Sequence, residues 1–179
     1  MQHLNSLIEA RYVDGKIVVH SQDDTNALKQ RGYGEQRKKK SGTILSFCEA
    51  LYLIEQKRIH VINPKNKQDL TFLDILGEFR LTDNYAWMRY LIYKDLRDRG
   101  YTVKEKFDFE VDFEVYERGK SEMDEPKYIV VGVSEGAPVK VDQIVGMMRK
   151  TRDLERELVL AVVDRRSEVI YYSVSEQSL

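Results

Sequence analysis

The chain has 179 residues, 42% of them hydrophobic, with 29 basic and 30 acidic side chains and a formal net charge of −1. This composition excludes a disordered chain and a strongly basic nucleic-acid-binding protein, and it fits one compact domain or two small ones. The single cysteine, Cys48, excludes an internal disulfide and a cysteine-based zinc site. No apolar run approaches the length of a membrane span and the N-terminus lacks a signal-peptide pattern, so we expect a cytoplasmic protein.

The first half of the sequence alternates strand and helix patterns. Arg11–Val13 and Lys16–His20 predict the arms of a hairpin, because Asp14-Gly15 supplies the positive φ angles that a two-residue turn needs. The elements predicted after it are a short helix from Ser21 to Arg31, a helix capped by Thr43 that runs to about Gln56, a strand at Ile59–Ile62, and a helix that begins at Asp69 and is interrupted near Gly77.

A basic loop, Arg37 to Lys40, lies between Gly34 and Gly42. Runs of this kind can bind the phosphates of an RNA backbone. No aromatic residues are interleaved with these charges, and this favours a solvated loop over a phosphate-binding one.

The second half begins after a predicted domain boundary that divides the chain into residues 1–83 and 84–179. A long helix from Tyr85 to Arg99 comes first, and Gly100 stands in the helix-stopping position. The later elements are strands at Tyr101–Val103, Phe107–Val115 and Tyr128–Val133, a helix from Val141 to about Glu157, and strands at Leu158–Val163 and Glu168–Val174. This order predicts an α/β domain with a mixed sheet.

The last two strands differ in their hydrophobic patterns. The unbroken apolar run Leu158–Val163 predicts a central strand that is buried on both faces. The alternating segment Glu168–Val174 predicts an edge strand that is able to pair with a second chain.

A tyrosine at a strand end, Tyr116, and a basic residue near a helix end, Arg156, are one way to build a small phosphodiester-cleaving site. No histidine occurs after His60, so the usual proton-transfer residue at neutral pH is missing from this half.

Four carboxylates alternate along one predicted strand and share a face, where they could bind a divalent metal: Asp108, Glu110, Asp112 and Glu114. Restriction-type nucleases also need an acidic-x-Lys pair on the next strand, and Tyr128–Val133 offers none. We therefore expect neither a metal site nor another cofactor.

Six segments carry a resemblance to a known family: Arg31-Gly-Tyr-Gly34, Leu45–Ile54, Tyr90–Lys104, Asp112–Gly119, Tyr128–Val131 and Leu160–Asp164. Through them nearly the whole chain resembles the archaeal tRNA-splicing endonuclease (tRNA-intron endonuclease) family. The resemblance implies a small N-terminal α/β domain and a C-terminal restriction-endonuclease-like α/β domain with a mixed central sheet. It also implies a tetramer that cleaves precursor tRNA at bulge–helix–bulge motifs without metal, leaving a 2′,3′-cyclic phosphate and a 5′-hydroxyl.

The resemblance further implies a catalytic tyrosine, histidine and lysine. Tyr116 matches the tyrosine, whereas Glu125 stands at the histidine position, with Pro126 as the alternative alignment, and Arg156 stands at the lysine position. A carboxyl group with a pKa of about 4.3 is a poor proton donor at neutral pH, although a guanidinium could still contact phosphate.

Loss of the histidine and lysine predicts a non-catalytic, structural subunit of a heterotetrameric endonuclease, which supports assembly and RNA binding for a catalytic paralogue. The resemblance places the subunit interfaces in an acidic loop, where Glu135 would carry the charge, and in the tail strand, at Val169, Ile170, Tyr171 and Tyr172. Candidate RNA phosphate contacts are Arg149, Lys150, Arg152 and Arg156. Two alternatives stay open: an active RNA endonuclease that uses Tyr116, with or without metal, and a stand-alone RNA-binding module.

Overall fold

A computed structural model describes residues 7–36, 42–106, 111–120 and 123–175. The chain divides into two compact units, Met1–Tyr90 and Leu91–Leu179. This division falls inside the helix α4 (Ala86–Asp98), and the boundary between residues 83 and 84 stays a prediction. No helix in the described ranges is long and apolar enough to span a bilayer.

The first unit is built on a six-stranded mixed sheet. Its strands are β1 (Ile8–Val13), β2 (Lys16–Val19), β3 (Glu35–Gln36), β4 (Thr43–Leu45), β5 (Ile59–Asn63) and β6 (Gln68–Leu70). They lie in the order β3-β4-β2-β1-β5-β6, with β1 and β5 parallel. The hairpin prediction is confirmed: β1 and β2 pair antiparallel, and Asp14 and Gly15 have φ angles of 50° and 75°.

The helices of this unit are α1 (Gln22–Gln30), α2 (Phe47–Glu55) and α3 (Phe72–Thr82). The prediction that Thr43 caps α2 is wrong, because Thr43 lies in β4, where it pairs with Val19. Ser46 is the cap, and it forms a reciprocal capping box with Glu49. A short strand before the true cap therefore displaced the predicted helix start by about a turn.

The predicted start of α3 is wrong for the same reason. Asp69 lies in β6 opposite Ile62, and Thr71 caps the helix through Asp74. The predicted interruption near Gly77 is also wrong, since α3 continues to Thr82. A glycine inside a helix costs about 1 kcal/mol relative to alanine, which packing of the buried Ile75 and Phe79 can offset.

The second unit contains a five-stranded mixed sheet. Its strands are β7 (Thr102–Glu105), β8 (Phe113–Tyr116), β9 (Tyr128–Ser134), β10 (Glu157–Val163) and β11 (Val169–Val174), in the order β11-β10-β9-β8-β7. The parallel strands β9 and β10 are joined through α5 (Val141–Asp153), which packs Met147 against Ile129 and Leu158. Residues 107–110 of the predicted strand Phe107–Val115 lie outside the described ranges.

The helix α5 is shorter than predicted. It ends at Asp153, and Glu155 adopts a left-handed backbone conformation with φ of 55°, so the chain turns before Glu157 enters β10. This turn places Arg156 between the helix and the strand rather than on the helix.

The two tail strands take the predicted positions. β10 lies between β9 and β11, although Val159, Leu160 and Val162 are only half-buried. β11 lies at one edge of the sheet, with Ile170 and Tyr172 about half exposed at 49% and 53%.

Candidate functional site

Tyr116 is the last residue of β8, and its ring is buried, with 5% of its surface exposed. Successive side chains of a strand point to opposite faces, so Tyr116 shares a face with Glu114. Its hydroxyl donates a long hydrogen bond, 3.4 Å, to Glu114 Oε2. A carboxylate of the same strand thus lies beside the hydroxyl that the resemblance makes catalytic.

Arg156 reaches the same place from the turn that follows α5. Its backbone N–H donates to the Thr151 carbonyl at 2.9 Å, which fixes the turn. Its Nη1 contacts Glu114 Oε1 at 3.2 Å, and both side chains are largely shielded, with 20% and 15% of their surfaces exposed. The structure therefore brings the two predicted site residues Tyr116 and Arg156 onto one carboxylate.

Glu114 also attracts a second cation. Lys106, which follows β7, places its Nζ 3.7 Å from Glu114 Oε2, although the lysine side chain is half exposed. The sequence places Glu114 only on a face of candidate metal ligands, whereas the structure places it between a tyrosine and two cations. Its spacing of two residues from Tyr116 on a strand was the available signal.

Glu125, which the resemblance aligns with the family's histidine, is not joined to this group. It is exposed, lies between β8 and β9, and forms no hydrogen bond or ion pair with Tyr116 or Arg156 among the described residues. Pro126, the alternative alignment, is buried and carries no titratable group.

A separate ion pair borders the same segment. Lys127 Nζ lies 2.7 Å from Glu117 Oε1, with both side chains exposed. The hydrogen bond from Lys127 lowers the pKa of Glu117, and the same bond, together with one to Tyr128, raises the pKa of Lys127 to about 12. Neither residue contacts Glu114 or Arg156 through any bond found in the described ranges.

The alternating carboxylates do not form a described metal site. Asp108 and Glu110 lie outside the described ranges, and Asp112 is buried and accepts a 2.6 Å hydrogen bond from the Gly132 N–H. Glu114 is held by Arg156. Across the residues that the structure describes, no group of three or more histidine, cysteine, aspartate or glutamate side chains could hold a metal ion.

The candidate RNA contacts lie at the C-terminal end of α5. Arg149, Lys150 and Arg152 are exposed there. Arg152 and Arg156 line a cleft of about 680 Å³ whose wall also includes Glu155 and Glu157. The surface is thus mixed in charge rather than uniformly basic. The basic loop Arg37 to Lys40 lies outside the described ranges.

The predicted interface residues occupy two exposed places. Glu135 follows β9 in a turn with Gly136, whose φ is 77°, and it forms no ion pair with a described residue. On the edge strand β11, Val169 and Tyr171 are half-buried, whereas Ile170 and Tyr172 face outward.

Comparison with known proteins decides the family. The model of the tRNA intron endonuclease catalytic C-terminal domain matches residues 86–171, and that of the tRNA intron endonuclease N-terminal domain matches residues 8–76. The chain belongs to the tRNA intron endonuclease family. The resemblance drawn from the sequence motifs is thereby confirmed at the level of the family.

Individual relatives agree with this assignment. The chain is 35% identical over 167 residues to the tRNA-splicing endonucleases of Methanococcus vannielii and Methanococcus maripaludis, covering 93% of each chain in both comparisons. It is 36% identical over 144 residues to the tRNA-splicing endonuclease of Pyrococcus furiosus, covering 80% of this chain and 81% of the relative. As a tRNA intron endonuclease family member, the chain thus aligns with these relatives over most of their length.

Proposed function

We propose that this chain is a structural, non-catalytic subunit of a heterotetrameric tRNA-splicing endonuclease, in which a paralogue performs the cleavage. It would support assembly and bind precursor tRNA at bulge–helix–bulge motifs. The observation that carries the proposal is the ion pair between Arg156 and Glu114 at 3.2 Å. The cation at the lysine position is already neutralised by a carboxylate of the same chain.

The proton chemistry supports the same proposal. Cleavage to a 2′,3′-cyclic phosphate needs a base for the 2′-hydroxyl proton, an acid for the leaving oxygen and a cation for the phosphorane charge. Tyr116 is present, but its hydroxyl faces Glu114, and the exposed Glu125 stands where the family has its histidine. A carboxylate there would also repel the scissile phosphate.

The assembly half of the proposal depends on Glu135 and β11. Glu135 is an exposed carboxylate in a turn, suited to a basic pocket of a partner, and β11 is an edge strand with exposed apolar side chains. If the purified chain and a catalytic paralogue from the same genome fail to co-elute in size-exclusion chromatography, the subunit proposal is wrong.

Activity separates this proposal from its alternatives. We expect the chain alone to leave a bulge–helix–bulge RNA intact, with or without Mg²⁺. Metal-independent cleavage by the chain alone would favour an active nuclease that uses Tyr116, and cleavage only with metal would favour the metal-dependent one. If the chain binds RNA and its source genome encodes no catalytic paralogue, the stand-alone RNA-binding module is favoured.

A double variant, Glu125→His/Arg156→Lys, tests whether the site can be rebuilt. Cleavage by this variant, with a loss on further change of Tyr116→Phe, would show that the fold still presents the catalytic geometry. The single variants are the matched controls, because each restores only one of the two replaced groups.

A further inference from the structure

Glu114 is held in the way that proteins hold a bound anion. Its Oε1 receives Arg156 Nη1 at 3.2 Å, and its Oε2 lies 3.4 Å from the Tyr116 hydroxyl and 3.7 Å from Lys106 Nζ. A guanidinium, a hydroxyl and an ammonium around two oxygens are the donors that also bind a phosphate group. The carboxylate thus occupies the centre of an anion-binding arrangement.

Arg156 retains binding capacity that Glu114 does not use. Its Nε is buried, and no hydrogen bond to a described residue satisfies it. A buried donor without an acceptor is costly, and a guanidinium binds carboxylate or phosphate best through two parallel hydrogen bonds. A larger tetrahedral anion could contact more of the guanidinium than the single Glu114 oxygen does.

The two cations around Glu114 both border solvent. Arg156 lines the cleft of about 680 Å³, and half of the Lys106 side chain is exposed, at 51%. A small anion could therefore reach the two cations if the carboxylate charge were removed.

We propose that Glu114 is an internal substitute for a phosphate, which keeps closed a phosphate-binding site formed by Arg156, Lys106 and Tyr116. The inference rests on the proposed function, which makes an RNA phosphodiester the natural ligand of this phosphate-binding site. The formal charge of the three ionised groups is +1, from Lys106 and Arg156 at +1 each and Glu114 at −1. Glu114→Gln raises it to +2 and removes the repulsion between carboxylate and phosphate.

The test is a phosphate titration of the full-length chain, followed through the Arg156 Nε–Hε resonance in ¹H–¹⁵N spectra. We expect the dissociation constant for inorganic phosphate to fall at least about tenfold in Glu114→Gln, the effect of one charge-assisted hydrogen bond. A parallel titration with a 3′,5′-linked diuridine monophosphate tests whether the site prefers an RNA phosphodiester to inorganic phosphate. Stronger binding of the diester would favour RNA, and equal binding would assign the site to phosphate groups in general.

Glu117→Gln is the matched control, because it removes one carboxylate nearby that is paired with Lys127 and not with Arg156. We expect it to leave phosphate affinity unchanged. We expect Glu114→Gln/Arg156→Gln, followed by isothermal titration calorimetry because it lacks the Arg156 resonance, to lose the tighter phosphate binding of Glu114→Gln. Equal tightening in both single variants, or none in Glu114→Gln, would overturn the proposal.

If circular dichroism shows that Glu114→Gln does not fold, the phosphate titration of the wild-type protein still tests the proposal. The wild-type Arg156 resonance should not reach saturation with phosphate, because the carboxylate fills the site, so the titration sets a lower limit for the wild-type dissociation constant against which the variants are compared. A saturable wild-type shift would contradict the inference. RNA cleavage by the chain alone would defeat the proposed function without moving these affinities, so the two failures are distinguishable.

Discussion

Tyrosine hydroxyls of this chain repeatedly donate to carboxylates, and the surroundings of each pair determine its chemistry. Tyr171 donates to Asp95 Oδ2 at 2.8 Å, whereas the contact of Tyr116 with Glu114 is longer, at 3.4 Å. Burial raises the pKa of Tyr171, and the Asp95 carboxylate raises it further. At this scale the sequence shows the residue types, and the two-residue spacing of Glu114 and Tyr116 places them on one face of β8, whereas Tyr171 and Asp95 meet from different elements, β11 and α4.

Stability at high pH should depend on Tyr171. A tyrosine whose pKa is raised on folding contributes stability below its unfolded pKa of about 10 and loses it as pH rises through the folded value. We expect the unfolding free energy of the wild type to fall more steeply above about pH 10 than that of Tyr171→Phe. Urea unfolding at pH 8, 10 and 11 measures this difference.

Tyr172→Phe is the control for this prediction, because it removes the hydroxyl of the next residue, whose side chain is exposed. It should keep the wild-type slope with pH. A Tyr171→Phe slope equal to that of the wild type would show that folding does not raise the pKa of Tyr171.

At the scale of elements, the sequence predicted the existence of strands and helices better than their starts. The hairpin, the edge strand and the long helix α4 were recognised because their signals are local: a turn dipeptide, an alternation and a helix-stopping glycine. The predicted starts of α2 and α3 are wrong because each helix is preceded by a strand of three residues: β4, which pairs with the distant β2, and β6, which pairs with the neighbouring β5. Such short strands leave almost no periodicity to detect.

The capping box of α2 should contribute more stability than that of α3. Glu49 is buried at 4% exposure, and its carboxylate accepts 3.0 Å hydrogen bonds from the backbone N–H groups of Ser46 and Gly34. Glu49→Ala would leave these two donors without that acceptor, so we expect a loss of about 3 kcal/mol in unfolding free energy. Urea denaturation checks this.

Asp74→Ala is the matched control for the second capping box, whose bonds are exposed. Water can replace its acceptor there, so we expect a clearly smaller loss in unfolding free energy than for Glu49→Ala. Equal losses for the two variants would mean that the contact with Gly34 adds nothing to the cap.

At the scale of the whole molecule, the second sheet ends in an edge strand that no described strand covers. Exposed apolar edges favour pairing with another chain, and natural proteins otherwise protect them with charges or bulges. The outward side chains Ile170 and Tyr172 carry no charge. This edge is the part of the surface on which the proposed assembly most depends.

Charges on β11 should therefore reduce assembly. We expect Ile170→Lys/Tyr172→Lys to lower the molar mass of the complex formed with the catalytic paralogue, because lysines on an edge strand oppose its pairing with another strand. Light scattering after size exclusion measures this mass. Leu81→Lys is the control, an apolar side chain 80% exposed in the other unit, which should leave the mass unchanged. An unchanged mass in the β11 variant would place the interface elsewhere.

The sequence by itself determined the family, the mixed α/β architecture and the edge position of β11. Those features are written in local patterns and motifs, which need no knowledge of distant contacts. Only the tertiary structure decided what became of Arg156. Its partner Glu114 is 42 positions away, and the two meet because the turn after α5 leads into β10 while β8 lies across β9. An ion pair between such distant segments depends on sheet order and on a left-handed turn residue, and neither has a signature in the charges themselves.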